Sequence, residues 1–346
     1  MSNLPPSGEI PRGAIRFNTD SNKPELWDGS QWAEFQLSTP NLAQTGETNI
    51  GARGLFVGGE TPSRRADIDI INFASAGDSV DFGDMNTTRS APAVFASSTR
   101  AIAAGGETPS IVNTIEFMTI ASTGSATDFG AILTDARRRL SGQGCSNQTR
   151  GMILGGFDGS NQLNLVDFIT IASNGTAAVD FGGDLTATTT FGGTCATSTR
   201  AVLAGGHDGG SPGNFVSTMQ QVNFTTTGVN FADFGDLTQA RSALGAANNA
   251  TRGVWSGGQT PSSQDTIDSM IMATLGNTVN FGDLFTAVGA TSSCSSPTKV
   301  ATGGGAGNNV TIQYQDITSG ANAEDFGDLH EGRSFLDATS NAHGGL

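Results

Sequence analysis

Short apolar runs alternate with polar, glycine-rich turns along most of this chain, and no long window places its apolar residues at helical spacing. The stretch beginning at Gly151 shows the pattern most clearly. Gly151-Met152-Ile153-Leu154 is an apolar run that stops at Gly155-Gly156, and Phe157-Asp158-Gly159-Ser160-Asn161-Gln162 is a polar turn. In Val166-Asp167-Phe168-Ile169-Thr170-Ile171 every second residue (Val166, Phe168, Thr170) shares a face. Ser173-Asn174-Gly175 turns again, and a short strand ends at Val179-Asp180-Phe181. After Asp184-Leu185 the small-residue stretch Phe191 to Thr197 leads to Arg200. β-Branched and aromatic residues fill the runs and Gly, Asn, Asp or Ser bound them, which predicts four short strands per unit.

The unit recurs. A double glycine returns at Gly58-Gly59, Gly105-Gly106, Gly155-Gly156, Gly205-Gly206, Gly257-Gly258 and Gly303-Gly304, at intervals of 47, 50, 50, 52 and 46 residues. A phenylalanine-glycine pair keeps the same beat at Phe82, Phe129, Phe181, Phe234, Phe281 and Phe326. Two columns align across the units: Ile68, Ile115, Val166, Val222, Ile267 and Ile312, then Ile70, Phe117, Phe168, Phe224, Ser269 and Tyr314. A fixed period of this length means a solenoid or propeller, because one unit cannot bury its apolar face alone. Four strands per unit and tight turns select an all-β fold, a six-bladed β-propeller over residues 40–346.

The pattern resembles the Kelch repeat, which pairs an apolar run ending in Gly-Gly with aromatics further along the unit. Phe157 to Asn164 is similar to that family's turn after the double glycine, and Arg89, Arg137, Arg241 and Arg333 fall where its arginine precedes the inner strand. The chain departs from the family in carrying Phe82 and its five counterparts where Kelch units usually carry Trp. In that framing the first unit lacks an inner strand, since Asn41 to Asn49 has no matching arginine. Residues 333–342 are expected to supply it, closing the ring and leaving the N-terminus free.

Residues 1–39 form a separate arm. Gly13 to Lys23 reads as a strand and turn, Pro24 to Trp27 as a returning strand, and Gln31 to Phe35 as another. A hairpin of this size is not stable alone, so Trp27 and Trp32 are expected to pack against something else. The segment resembles a short module near the ends of bacteriophage fibre, tail and other virion proteins, on Gly13, Ile15, Arg16, Phe17, Asn18, Thr19, Asn22, Lys23, Glu25, Trp27, Asp28, Gly29 and Trp32. That resemblance implies attachment to other virion structural proteins through Ile15, Arg16, Phe17, Trp27 and Trp32. The plainer reading is a hairpin that caps the propeller.

Glycine makes up 48 of 346 residues, about twice the usual share, and belongs to turns and close packing. The net charge of −15 without a basic stripe argues against nucleic-acid binding. The polar, proline-rich Met1 to Pro11 does not read as a signal peptide, so none is expected, and no apolar run reaches membrane-spanning length. Synthesis in a host cytoplasm followed by incorporation into a virion fits both.

His207, His330 and His343 fall at unrelated positions, and no His-x-x-x-His or Cys-x-x-Cys spacing offers a metal site. Cys145, Cys195 and Cys294 each lie five residues before a basic residue, as small buried side chains would. Arg53, Arg100, Arg150, Arg200, Arg252 and Lys299 form a cationic column; Asp84, Asp184, Asp236, Asp283 and Asp328 form an acidic one. Their recurrence reads as arginine–carboxylate pairs joining blades. No nucleophile elbow appears, and no cofactor is expected.

Recognition is expected in the loops that vary between units. Phe157 and Phe215, beside Asp158, Asn161, His207, Asp208 and Asn214, offer rings to stack on a sugar and groups to bond its hydroxyls. The expectation is a non-enzymatic virion protein (fibre, neck or capsid-decorating appendage) that binds protein or host-surface glycan and is open to homo-oligomerisation. An intracellular interaction propeller and a carbohydrate-active enzyme are the alternatives.

Overall fold

The computed structural model describes residues 10–18, 23–34, 52–141, 145–209 and 214–346. Contacts divide the chain into Met1–Asn49 and Ile50–Leu346. The expected boundary after residue 39, and Asn41 to Asn49, lie outside the described residues.

In the first unit three antiparallel strands, Ile15–Asn18, Lys23–Trp27 and Trp32–Glu34, form one sheet in sequence order. Asp28 turns the chain into the third strand by accepting from the Ser30 and Gln31 amides, which hold its carboxyl at about 2. Alternation sorts the five expected attachment residues onto two faces. Trp27 and Trp32 meet at 5.5 Å, and Arg16 lies 4.2 Å over the Trp32 ring while pairing with Glu25 at 2.7 Å. Ile15 and Phe17 stand on the opposite face, 68% and 59% exposed. The tryptophans thus stack on each other within this sheet, with the Arg16 guanidinium completing the cluster.

The second unit is a propeller-like succession of antiparallel sheets. The sheet of Ala93–Ala96, Arg100–Ala104, Thr114–Thr119 and Thr127–Ile132 repeats, with the same order, through three later sheets. In the third repeat three strands are paired and Ser146 bridges Gly151 in place of the innermost one. In the first, Asp337–Ser340 pairs with Arg53–Val57, so the innermost strand comes from the far end of the chain, inside residues 333–342.

No sheet owns its core. Arg53–Val57 is buried on both faces: Leu55 and Val57 pack with Val94 and Ala103 of the next repeat, whereas Phe56 packs with Ala301 and Ile312 of the sixth. Alternate side chains serve opposite neighbours, which is why the runs are continuously apolar. The Phe-Gly beat forms the outer seam. Phe82, Phe129, Phe181 and Phe234 each accept, through the carbonyl, a hydrogen bond from a glycine amide of the following repeat, and Phe326 accepts one from Gly77 of the first. A Cβ on Gly235, whose φ is +146°, would lie 2.1 Å from the Gly276 carbonyl oxygen, so only glycine permits this approach.

Three alignments shift. In the fourth repeat Ala204 pairs with Met219, as Ala104 pairs with Ile115, so Met219 and Gln221 occupy the two columns assigned to Val222 and Phe224. The longer loop after Gly206 displaces the strand by three residues, and Phe224 instead matches buried Ile120 and Ile171. In the sixth repeat the left-handed pair is Gly304-Gly305, while Gly303 ends a strand. The third shift concerns charge. Arg53 and Asp84 sit at opposite ends of their sheet, since Arg53 pairs beside Asn72 and Asp84 beside Asp67, roughly 16 Å apart along the strands at a strand's rise per residue. Arg53, Arg100, Arg150 and Arg200 instead donate to carbonyls of the next repeat: Ile120, Ile171, Phe224 and Met272. The acidic column is joined through its backbone, Asp236 for example donating its amide to Asn277.

Candidate functional site

The face carrying the double-glycine loops is held by a second arginine column. Arg89, Arg137, Arg241 and Arg333 are fully buried and pair with Glu116 at 2.6 Å, Asp167 at 2.8 Å, Asp268 at 3.0 Å and Asp69 at 2.9 Å. Each guanidinium also caps carbonyls at its double-glycine corner, as Arg137 does at Gly155 and Leu165. Burial draws Arg89, Arg137 and Arg241 below their usual range and the carboxylates oppose it. The loops therefore project from a rigid, charge-paired base. The sequence pointed to these arginines but not to their partners, which stand on the third strand between the two apolar columns.

Two residues beyond each of these arginines, and beyond Thr189 and Val288 at the same position of the other two repeats, the backbone turns left-handed, at Ala91, Arg139, Phe191, Ala243, Ala290 and Phe335, with φ from 49° to 57°. The turns bond to one another: Phe335 N to Ala290 O, Ala91 N to Phe335 O, Phe191 N to Arg139 O and Ala243 N to Phe191 O. All but Arg139 line a cleft of about 20 Å³, together with Asp337, room for about one water.

Alanine suits the crowded centre, so the exceptions are informative. Phe191 and Phe335 stack with centroids 5.4 Å apart, and the Arg139 guanidinium lies 5.4 Å from Phe191 and 5.7 Å from Phe157. Arg138 flanks Phe157 at 5.5 Å and pairs with Glu107, which also binds Arg64 at 2.6 Å. Burial, then the neighbouring Arg138, lowers the Arg139 guanidinium from its usual range. A partly exposed ladder, Phe157–Arg139–Phe191–Phe335, thus runs from a loop to the centre.

Of the expected recognition residues, Phe157 joins this ladder. Asp158 is exposed and closes its own turn by accepting from Ser160 and Asn161 amides, which lowers its carboxyl; Asn161 supplies the opposing carbonyl. His207-Asp208 and Asn214-Phe215 form a small hairpin whose rings, His207 and Phe215, stack at 4.6 Å. Gly210 to Gly213 lie outside the described residues. Arg138, Arg139, Phe191 and Phe335 were not singled out as recognition residues. The signal for Arg139, Phe191 and Phe335 was present as large side chains at a position where three repeats carry alanine.

His330 and Asp69 do not form a ligand set, and the described residues hold no group of three or more metal-binding side chains. Cys145, Cys195 and Cys294 are buried thiols, raised by burial. No helix among the described residues is long and apolar enough to cross a membrane. No family model matches the chain, and no curated protein is found similar to it.

Proposed function

We propose that this chain is a non-enzymatic binding protein: a six-bladed, Kelch-like β-propeller displayed on a short attachment arm, as in a bacteriophage fibre, neck or capsid-decorating appendage. Ring closure is supported by the pairing of Asp337–Ser340 with Arg53–Val57 and by the Gly77 amide bonded to Phe326. The virion assignment rests on the arm's motif, from Gly13 to Trp32, and on the exposed Ile15 and Phe17 that a neighbouring subunit could cover.

The observation that carries binding is the Phe157–Arg139–Phe191–Phe335 ladder, because it interrupts a column whose structural need is met by alanine. Aromatic planes flanked by charged donors suit the apolar face and hydroxyls of a sugar. On a glycan array the intact chain should bind without releasing product. Phe157→Ala with Phe191→Ala should weaken that binding about tenfold or more while the melt is kept. Product formation abolished by replacing one loop carboxylate would overturn the reading. Deleting residues 1–37 should block incorporation into particles and leave the propeller folded; normal incorporation would remove the attachment role.

A further inference from the structure

The repeats carry a second break in symmetry, on the face opposite the double glycines. In the second and third repeats the guanidinium of the first cationic column stacks on a ring of the third strand: Arg100 over Phe117 and Arg150 over Phe168, both at 4.3 Å. In the sixth, Lys299 lies 4.7 Å from Tyr314. The fifth carries Ser269 at that position, and Arg252 takes Phe281 instead, at 4.5 Å. The first repeat has Ile70 there, and among the described residues no ring lies over Arg53. A groove of about 350 Å³ opens beside it, between Arg53, Ile70 and Val80. The fourth repeat differs: it has Gln221 and Ala232 where the first has Ile70 and Val80, Arg200 lies 5.5 Å from buried Phe234, and a groove of about 320 Å³ opens there.

We propose that the groove of the first repeat receives an aromatic side chain of a partner polypeptide. The ring would take the place that Phe117 holds in its own repeat. Its lower face would lie on the Arg53 guanidinium, which two backbone carbonyls, Ile120 and Ala121, already fix in orientation. Ile70 forms the floor, and Val80, 63% exposed, forms the wall. Cation–π stacking and burial of Val80 supply the attraction. The groove is open along one side and cannot enclose a free small molecule as a closed pocket does. A ring tethered to a larger partner needs no such enclosure, because the rest of the partner contributes contacts.

The test uses the intact chain and N-acetyl-tryptophanamide as the probe, followed by nuclear magnetic resonance. The probe should shift the Arg53, Ile70 and Val80 amide signals with a dissociation constant of order millimolar. Ile70→Phe, which rebuilds the internal stack, should weaken this at least about tenfold and raise the melting temperature. If that variant does not fold, Arg53→Gln serves: it keeps a donor for the Ile120 carbonyl but removes the cation, and the same loss is expected. Selection of a random peptide library on the chain should enrich peptides bearing Trp, Tyr or Phe that the filled variant no longer retains. Absence of shifts at these residues, unchanged affinity in the variants, or enrichment without aromatics would each overturn the proposal.

Discussion

The buried arginines show how the chain keeps a costly feature from becoming a defect. A guanidinium taken out of water is tolerable only beside a carboxylate, and four repeats supply one. The other two dispense with both partners: Thr189 stands with Gln220, and Val288 with Gln313. The amides keep the carboxylates' other task. Gln220 accepts from the Thr186 amide and hydroxyl just as Asp167 accepts from Thr134. Charge is thus removed in pairs while the turn stays capped. Asp268→Ala should cost about 3–5 kcal/mol, since it strands Arg241 in the interior. Adding Arg241→Thr and placing Gln at 268, in the image of the fourth repeat, should recover most of that loss in urea unfolding. A double variant no better than Asp268→Ala would mean that the pairs are not exchangeable.

At the scale of the element, the segment from Asp337 onward combines strand pairing with two buried titratable groups. Asp337 accepts from Val94 N, Ser292 Oγ and Ala338 N, yet burial outweighs these donors and pushes its carboxyl up to about 8. His343 lies buried with Nε2 2.8 Å from the Ala96 carbonyl and Nδ1 accepting from Gly345 N, and burial lowers it to about 4. The raised carboxyl is protonated in the fold where the unfolded chain has lost that proton, so its contribution is complete below about 4 and is lost as pH rises towards 8. The lowered imidazole acts oppositely: its contribution is present above its ordinary 6.5 and is lost as pH falls to about 4. The two slopes offset each other between about 4 and 6.5. Between 6.5 and 8 only Asp337 acts, and stability should fall by up to about 1.4 kcal/mol per pH unit. Asp337→Asn should abolish that fall and uncover the rise due to His343 at lower pH, measured as denaturant midpoints across the range. A fall that persists in the variant would locate its origin elsewhere.

For the whole molecule, stability resides between sheets. The innermost strands Gly193–Ala196, Gly245–Asn248, Ser292–Ser295, Asp337–Ser340 and Ala93–Ala96 follow one another side by side. Ser146 joins the last of these to the third repeat through Ala96, and Ser141 joins the third to the fourth through Thr194. Each sheet is buried by the two beside it, so unfolding should be one cooperative event in spite of the modular sequence. Deleting residues 330–346 removes the innermost strand of the first sheet, together with Arg333 and its bond to Asp69. The expected result is loss of the single sharp transition in thermal unfolding. An unchanged melt would show that the sheets hold without this pairing.

What could be read along the chain was whatever depends on a residue and its near neighbours. The double glycines mark left-handed corners that other residues resist, and period-two alternation marks strands. Both recur without reference to the rest of the molecule, which is why the four-strand unit, the strand from within residues 333–342 that pairs with Arg53–Val57 and the buried cysteines were legible. The three-residue slip at Met219 was not, because a lengthened loop changes register without changing composition. The partners of the two arginine columns also had to await the fold. Arg241 lies in the connection before Gly245–Asn248 and Asp268 on the strand Gln264–Ile271, and Arg53 answers to carbonyls of the next sheet; sheet-to-sheet stacking brings such groups together, and no local pattern records it. The same holds for Phe157, Arg139, Phe191 and Phe335. Sequence determined the repeating strands and their corners, whereas tertiary structure alone decided which side chains from different repeats meet, since those meetings are set by packing between sheets.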